Sequence, residues 1–262
     1  MTRTISAVNQ PVDNMPRLSI IVATWNAART FKRCLDSIIA QDFTDWELLV
    51  ADGASTDGTI DLIREHEAHL AWWQSKKDNG VYDAWNQALA HARGEFICFL
   101  GADDAWSDPG ALQVIFEAIG ELEPNLVSAK GLVIDADSQP LGTVGRPWDY
   151  KRLRRRMRIC HPGALFRRRV FETLGPFDTR YRIAADYEWM LRLPASTPHL
   201  FIDRVIVRIQ DGGVSRRYRR QTMAEYWNIQ ARSPRVGKIR ATVTYLDRMW
   251  RRPVARLLGL YY

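Results

Sequence analysis

The strongest constraint in this chain is a switch of hydrophobic period that recurs from residue 18 to residue 119. Leu18-Ser-Ile-Ile-Val-Ala23, Trp46-Glu-Leu-Leu-Val-Ala51, Leu70-Ala-Trp-Trp-Gln74 and Phe96-Ile-Cys-Phe-Leu100 are short apolar runs of strand length. Each is followed by a segment of helical period. The first is Ala27–Gln41, with Phe31, Leu35 and Ile38 on one face. The others are about Thr59–His66, Gly80–Ala92 with Tyr82, Trp85 and Leu89 on one face, and about Pro109–Ile119. Parallel neighbours need crossover connections, so this alternation predicts an α/β fold: a mixed, mostly parallel sheet covered by helices. Its crossovers should be right-handed. After Pro124 the pattern changes. Asn125–Ile134 and Pro140–Val144 read as a strand pair around Asp135-Ala-Asp-Ser138, and basic, irregular sequence follows. Ala184–Leu193 reads as a short helix, Leu200–Ile209 as β-rich, and Tyr218–Arg232 and Gly237–Leu258 as helices.

With 262 residues, 46% of them hydrophobic, the chain can bury a sizeable core. It has no apolar run long enough to span a membrane, and Met1–Pro16 lacks the apolar core of a signal peptide. Cys34, Cys98 and Cys160 are odd in number and far apart, which argues against a disulfide framework and against metal-ligand spacing. A cytoplasmic location is expected. The net charge of +7 conceals an asymmetry. Residues 1–145 carry 10 Lys/Arg against 21 Asp/Glu, a net of −11; residues 146–262 carry 27 against 9, a net of +18. The basic half is expected to face something anionic: phosphate groups, a lipid surface or nucleic acid.

The acidic residues of the first half fall where strands end. Asp103-Asp104 follows the run Phe96–Leu100, and open α/β sheets bind ligands beyond the carboxyl ends of their strands. Adjacent carboxylates repel unless solvated, hydrogen-bonded or neutralised by a cation. Hard oxygen ligands beside a cleft suit Mg²⁺ or Mn²⁺, which borrow further ligands from substrate phosphates. Asp52 ends a strand on the same edge and opens the turn Asp52-Gly-Ala-Ser-Thr-Asp-Gly58. Its carboxylate can accept hydrogen bonds from a base or a ribose, while Asp57 reads as a helix cap. In Lys76-Lys-Asp-Asn-Gly-Val-Tyr-Asp-Ala-Trp-Asn86, Asp78 can touch a nucleotide and Lys76 or Lys77 a phosphate; a solvated loop with a cap is the alternative.

Asp186 and Glu188 open the short helix near residue 184. They complement its dipole, or Asp186 acts as a general base. Residues 151–169 hold nine Lys/Arg and no acid, and Arg216, Arg217, Arg219 and Arg220 follow Gly212-Gly213. Guanidinium groups match phosphate oxygens in pairs, although a solvated basic loop explains most of them singly. His161 reads as a packed side chain ahead of a phosphate or metal contact.

Taken in order, SIIVATWNAARTFKRCLDSI, WELLVADGASTDGT, KKDNGVYDAWNQALAHARGEFICFLGADDAW, HPGALFRRRVFETLGPFD and YRIAADYEWMLRL resemble glycosyltransferase family 2, the inverting nucleotide-sugar transferases of GT-A fold. The resemblance covers about residues 17–193 and looks closest to bacterial enzymes that build O-antigen, colanic-acid-like and other surface polysaccharides. It implies a Rossmann-like GT-A domain over 17–215, with a nucleotide-sugar half to about 119 and an acceptor half from 120. An N-terminal tail, 1–16, would precede it and a basic helical extension, 216–262, would follow.

The resemblance also implies roles. Thr24 to Asn26 and Asp52 line the nucleotide pocket, Asp78 lies beside the nucleoside, Asp103 is the metal ligand, Asp104 adjoins the donor sugar, and Asp186 is the catalytic base. The implied cofactor is Mg²⁺ or Mn²⁺. The implied donor is a UDP-sugar, and the acceptor a glycan or a polyprenyl-diphosphate-linked sugar. Many relatives carry aspartate at the position of Gly101, completing an Asp-x-Asp motif; here the sequence reads Gly-Ala-Asp-Asp. The Gln-x-x-Arg-Trp motif of processive synthases is absent. Residues 237–262 mix Val243, Leu246, Trp250, Leu257 and Leu258 with Arg248, Arg251, Arg252 and Arg256. That composition fits an interfacial anchor on the inner leaflet, with Pro253 expected to kink or interrupt the helix. A helix packed on the domain is the alternative. No nucleic-acid partner is expected, but a nucleic-acid-binding protein and a nucleotidyltransferase are the competing functional readings.

Overall fold

A computed structural model describes residues 15–257. Expectations for residues 1–14 and 258–262, Leu258 among them, lie outside the described residues, as do those for the side chains of Arg248, Trp250, Arg251, Arg252, Arg256 and Leu257.

The first half alternates as expected: β1 (Leu18–Thr24), α1 (Ala28–Ile39), β2 (Trp46–Asp52), α2 (Thr59–Glu65), β3 (Leu70–Ser75), α3 (Val81–Leu89), β4 (Phe96–Gly101), β5 (Ala105–Trp106) and α4 (Ala111–Ile119). The second half contains β6 (Leu126–Ile134), β7 (Pro140–Val144), α5 (Tyr150–Leu153), β8 (Leu165–Arg167), α6 (Arg168–Leu174), α7 (Ala185–Arg192), β9 (His199–Gln210), α8 (Val214–Arg217), α9 (Arg219–Arg232) and α10 (Lys238–Leu257).

The strands form one sheet in the order β3-β2-β1-β4-β8-β6-β9-β5, with β7 on β6. The first four run parallel, and so do β6 and β9; β5, β7 and β8 are antiparallel to their neighbours. Alternate strand residues supply two cores, one on each face. Ile21, Leu49, Phe99 and Phe166 meet Trp85 and Trp189 on one side; Ile20, Val22, Leu48 and Leu100 meet Phe31, Leu35 and Ile38 on the other. Phe99 is fully buried, and truncating such a side chain to alanine costs about 3–5 kcal/mol.

Two features of the sheet escape a sequence reading. β5 holds two residues, yet it carries the chain from the end of β4 to the far edge of the sheet, pairing Ala105 with Arg208 and Trp106 with Val207. The Asp103-Asp104 turn therefore links the middle of the sheet, at β4, to its β5 edge. The basic segment expected to be irregular also contains structure. Leu165, Phe166 and Arg167 form a buried strand between β4 and β6. Arg167 is tolerated there because its guanidinium meets Glu95 at 2.8 Å and Glu123 at 3.0 Å, and donates to the Pro124 carbonyl at 2.9 Å. Three residues are too few for a period to show. The last helix continues through Pro253 to Leu257, so the proline does not interrupt it.

The opposite end of the parallel strands is closed by a buried carboxylate. Glu47 accepts from Ser19 Oγ at 2.7 Å and from the Arg93 backbone at 2.6 Å. Gly94 lies so close that a Cβ would stand 2.4 Å from the Ser19 nitrogen. Glu47, Ser19 and Gly94 thus pack tightly against one another at that end.

Candidate active site

Parallel register assembles the open rim. Thr24 lies opposite Asp52, Asp52 opposite Ser75, and Ala23 opposite Gly101. Asp52 is 2% exposed, and its oxygens are fully engaged. Oδ1 accepts from Thr24 Oγ1 at 2.8 Å and Ser55 Oγ at 2.5 Å; Oδ2 accepts from the Ser55 amide at 2.9 Å and Ser75 Oγ at 2.6 Å. A carboxylate offers about four lone-pair sites. In this arrangement Asp52 ties three strand ends and the following loop together.

The loops after β1 and β2 are clamped to each other. Asn26 adopts a left-handed φ of 48° and accepts from the Thr56 amide at 2.9 Å, while its own amide donates to Ser55 Oγ at 2.8 Å. Asp57 caps less simply than expected. The residue preceding α2 is Gly58, without a side-chain cap, and the Asp57 carboxylate accepts from the first amides of both α1 and α2, Ala28 and Thr59, each at 3.1 Å. Between these loops and α3 lies a small polar corner. Trp25 is 71% exposed. A Cβ on Gly53 would stand 2.8 Å from Asp78 Oδ2 and 3.3 Å from Trp25 Cδ1. Asp78 Oδ1 accepts from the Gly80 amide at 2.8 Å. Burial raises its pKa, and the carboxylates of Asp83 and Asp52 add to the rise.

The acidic pair lies over Gly101. A Cβ there would meet Asp103 Oδ1 at 2.7 Å and Asp104 Oδ2 at 2.9 Å. Asp104 is buried and accepts from the Gly101 amide at 3.1 Å. Burial, reinforced by Asp103, pushes its pKa up to about 8. Burial raises Asp103 too, with Arg33 opposing. Arg33 donates to the Asp103 backbone carbonyl at 2.7 Å and to Gln210 Oε1 at 3.1 Å, so it holds the turn without neutralising the pair through a direct bond. Two carboxylates that resist ionisation in a concave rim fit a divalent cation, which would favour their charged forms. Among the described residues no group of three or more His, Cys, Asp and Glu side chains converges.

Asp186 approaches from the second half. Its Oδ1 accepts from the Tyr82 hydroxyl of α3 at 3.0 Å and from the Tyr187 amide at 2.7 Å. Tyr82 also lies 2.8 Å from the Ile183 carbonyl. The sequence places Tyr82 on an apolar face, and its hydroxyl role there is missed; a buried tyrosine four residues from Asp78 is the signal that could have found it. His161 packs, as expected, among Trp85, Phe99, Phe166 and Phe177 at 5.5–6.1 Å. Burial lowers its pKa, with Asp186 opposing.

The basic segment divides in two. Arg167, Arg168 and Arg169 are held internally by Glu95, Glu172, Glu123 and Asn125. Arg146, Arg152 and Arg158 line a cavity of about 250 Å³ with Trp148, Leu153, Ile159 and Asp149, whose carboxylate pairs with Arg152 at 3.1 Å. Lys76 and Lys77 are exposed.

The family model described as Glycosyl transferase family 2 matches residues 19–175. This chain belongs to glycosyltransferase family 2. It is 36% identical over 180 residues to a PGL/p-HBAD biosynthesis glycosyltransferase of Mycobacterium tuberculosis, covering 68% of this chain and 69% of the relative. It is 28% identical to the chondroitin synthase of Escherichia coli, over 73% of this chain and 28% of that protein. Among solved structures, residues 1–349 of S. aureus TarS superpose with a TM-score of 0.66 at 18% identity, covering 89% of this chain and 72% of that one. The mannosyltransferase PcManGT from Pyrobaculum calidifontis, in complex with GDP-Man and Mn²⁺, gives 0.62 at 23% identity, covering 88% and 70%. The fold is GT-A, and the protein is an inverting glycosyltransferase. That membership replaces the nucleic-acid and nucleotidyltransferase readings as the account of what the chain does.

Proposed function

We propose that this transferase moves a sugar from a UDP-sugar to a hydroxyl of a glycan or polyprenyl-diphosphate-linked acceptor in surface-polysaccharide synthesis, with Asp186 as general base. Two observations support the reading: the register-aligned ends of β1, β2 and β4 gather Asp52 and the Asp103-Asp104 turn at one edge, and Tyr82 of α3 bonds to Asp186. Tyr82 links the two, since it follows Asp78 on the nucleotide side and bonds to Asp186 on the other.

In this reading Trp25, Asn26 and Asp78 face the nucleoside, and Thr24 and Asp52 form the floor that holds them. Asp103, with Asp104 beside the donor sugar, would hold Mg²⁺ or Mn²⁺. When bound, such an ion supplies charge neutralisation to the departing diphosphate. Asp186 accepts the proton of the acceptor hydroxyl as that oxygen attacks the anomeric carbon from the face opposite the leaving group. One displacement inverts the configuration, and the new bond forms as the bond to the diphosphate breaks. Tyr82 and the Tyr187 amide keep Asp186 from swinging away from that line.

The structural neighbours support a nucleotide-sugar donor: TarS has been solved with UDP-GlcNAc and PcManGT with GDP-Man. A thermal-shift panel of UDP-, dTDP- and GDP-sugars with and without Mn²⁺ tests the donor, because a ligand of the folded state raises apparent stability. Proton NMR of the product tests inversion. A panel in which no UDP ligand stabilises the protein, with or without Mn²⁺, would contradict the donor assignment.

The acceptor side is proposed to work at the inner face of the cell membrane. No helix of the described residues is long and apolar enough to cross a bilayer. On α10, however, Ile239, Val243, Leu246 and Met249 are 85%, 62%, 46% and 44% exposed, and they recur at helical spacing. Basic residues flank them in the sequence, each worth about 1 kcal/mol near an anionic surface. The cavity lined by Arg146, Arg152 and Arg158 offers a second set of cations to an acceptor's phosphates.

A further inference from the structure

Asp186 is presented by a segment that does not hold itself. Ala184, the residue before α7, offers no side-chain cap. The amides of Arg182, Ile183 and Ala184 are received instead by one carboxylate 41 to 43 residues later. Glu225 Oε1 accepts from Arg182 at 3.2 Å, and Oε2 accepts from Ile183 at 2.9 Å and Ala184 at 3.0 Å. Glu225 is the sole acidic residue of α9, a helix that also carries Arg219, Arg220 and Arg232. The same helix is docked on α7 independently: Tyr226 stacks on Tyr187 at 4.2 Å, and Gln230 donates to the Tyr187 hydroxyl at 2.8 Å. Hydrogen bonds to an ionised acceptor are roughly twice as strong as neutral ones. Three of them on consecutive residues fix the backbone two residues ahead of Asp186.

We infer that Glu225 is a positioning residue for sugar transfer, setting the backbone from which Asp186 reaches the acceptor hydroxyl. This rests on Asp186 being the base. It makes α9 part of the working acceptor side, although the helix lies in the basic C-terminal region whose charge points only to anionic partners. Tyr82 restrains the Asp186 carboxylate directly, and Glu225 restrains its main chain. Neither replaces the other. Loss of Glu225 is expected to leave the donor rim on β1, β2 and β4 intact, because among the described residues its hydrogen-bond partners are Arg182, Ile183, Ala184 and Gln221. A displacement of about 1 Å in a reacting group can cost about 10²-fold in rate.

The test uses the full chain as wild type, Glu225→Ala, Glu225→Gln and Glu225→Asp, with three measurements: kcat, affinity for UDP with Mn²⁺, and amide hydrogen exchange. The alanine variant is expected to lose about 10- to 100-fold in kcat while nucleotide affinity stays within about twofold. Amides of residues 182–186 should exchange at least about tenfold faster, with those of β1 and β4 unchanged. Glutamine keeps one oxygen able to receive two of the three amides, so it should recover at least about fivefold of the lost rate. If the alanine variant does not fold, the aspartate variant, whose carboxylate is drawn back by one methylene, should show the same kcat loss. A kcat within twofold of wild type, a nucleotide affinity that falls in step with kcat, or unchanged exchange at 182–186 would each overturn the inference. A wild type that transfers from no nucleotide sugar would contradict the functional reading instead, and the exchange measurement would still decide whether Glu225 fixes this segment.

Discussion

The donor rim and the acceptor side are built by different means. On the donor rim, Thr24, Asp52 and Ser75 meet because three parallel strands end in register, and the acidic pair follows β4 directly. Backbone hydrogen bonding places these side chains, so neighbours in space are consecutive strand ends. On the acceptor side, Asp186 opens a helix that no strand delivers to its place. Tyr82, 104 residues earlier, holds its carboxylate, and Glu225 holds the preceding backbone. In the proposed function, a base held by remote side chains should be sensitive to their loss, whereas a rim set by register should tolerate single side-chain changes outside the chemistry.

The sharpest way to break this contrast is Asp186→Asn. General-base catalysis contributes about 10²–10⁴-fold, so kcat should fall by that order while affinity for UDP with Mn²⁺ is kept. Loss of nucleotide binding in this variant would move Asp186 to the donor side and erase the distinction. Asp103→Ala is expected to cut transfer by about 10²–10³-fold, the scale for removing one electrostatic stabiliser, and to abolish the Mn²⁺-dependent part of nucleotide binding. Retention of full activity would remove Asp103 from the chemistry.

Removing residues 237–262 tests the outer part of the acceptor side. Transfer to a soluble glycan acceptor should stay within about threefold of the full chain, because the bonds to Asp186 and its segment come from α3, α7 and α9. Co-sedimentation with vesicles rich in anionic lipid should be lost, at about 1 kcal/mol for each basic residue removed from the surface. Equal sedimentation of both forms would exclude α10 as the contact.

Much of the donor rim was legible in the sequence, since short apolar runs leading into Asp52 and Asp103 announce strand ends. The saturation of Asp52 was not, because Ser75 reaches it through strand pairing and Ser55 through the fold of a turn. On the acceptor side Asp186 reads either as a residue complementing the helix dipole or as a general base, and only the family resemblance chooses between them. Tyr82 reads as core, and Glu225 is hidden within a basic stretch. The three-residue β8 and two-residue β5 carry too little sequence for any periodicity, yet they decide how the sheet curls.

A smaller effect separates Asp104 from Asp103. The folded-state pKa of Asp104, about 8, lies above its unfolded value, so the folded state binds the extra proton between roughly pH 4 and 8 and loses stability as pH rises through that window. Asp104→Asn, assayed without metal, should melt at least about 3 °C above wild type at pH 8, with the gap closing at pH 4. A gap that does not depend on pH would mean the carboxyl is not held protonated. Smallest of all is Ala54→Gly. Ala54 sits at a left-handed φ of 62° in the loop after β2, a conformation that costs a non-glycine residue about 1 kcal/mol. Glycine there should gain up to that amount in urea unfolding, less its larger unfolded-state entropy, and leave transfer unchanged.

The shortness of β8 has a consequence for how two substrates share one protein. β4 pairs with β8 only over residues 96–98, and β6 pairs with it only at 126 and 127. Beyond those points no β8 ladder pair joins β4 to β6, and the turn at 161–163 continues along β4, with the Gly163 amide donating to the Phe99 carbonyl at 3.2 Å. In the proposed function β4 leads to the donor side and β6 belongs to the acceptor half, and the acidic turn runs from β4 to β5, which pairs with β9 beside β6.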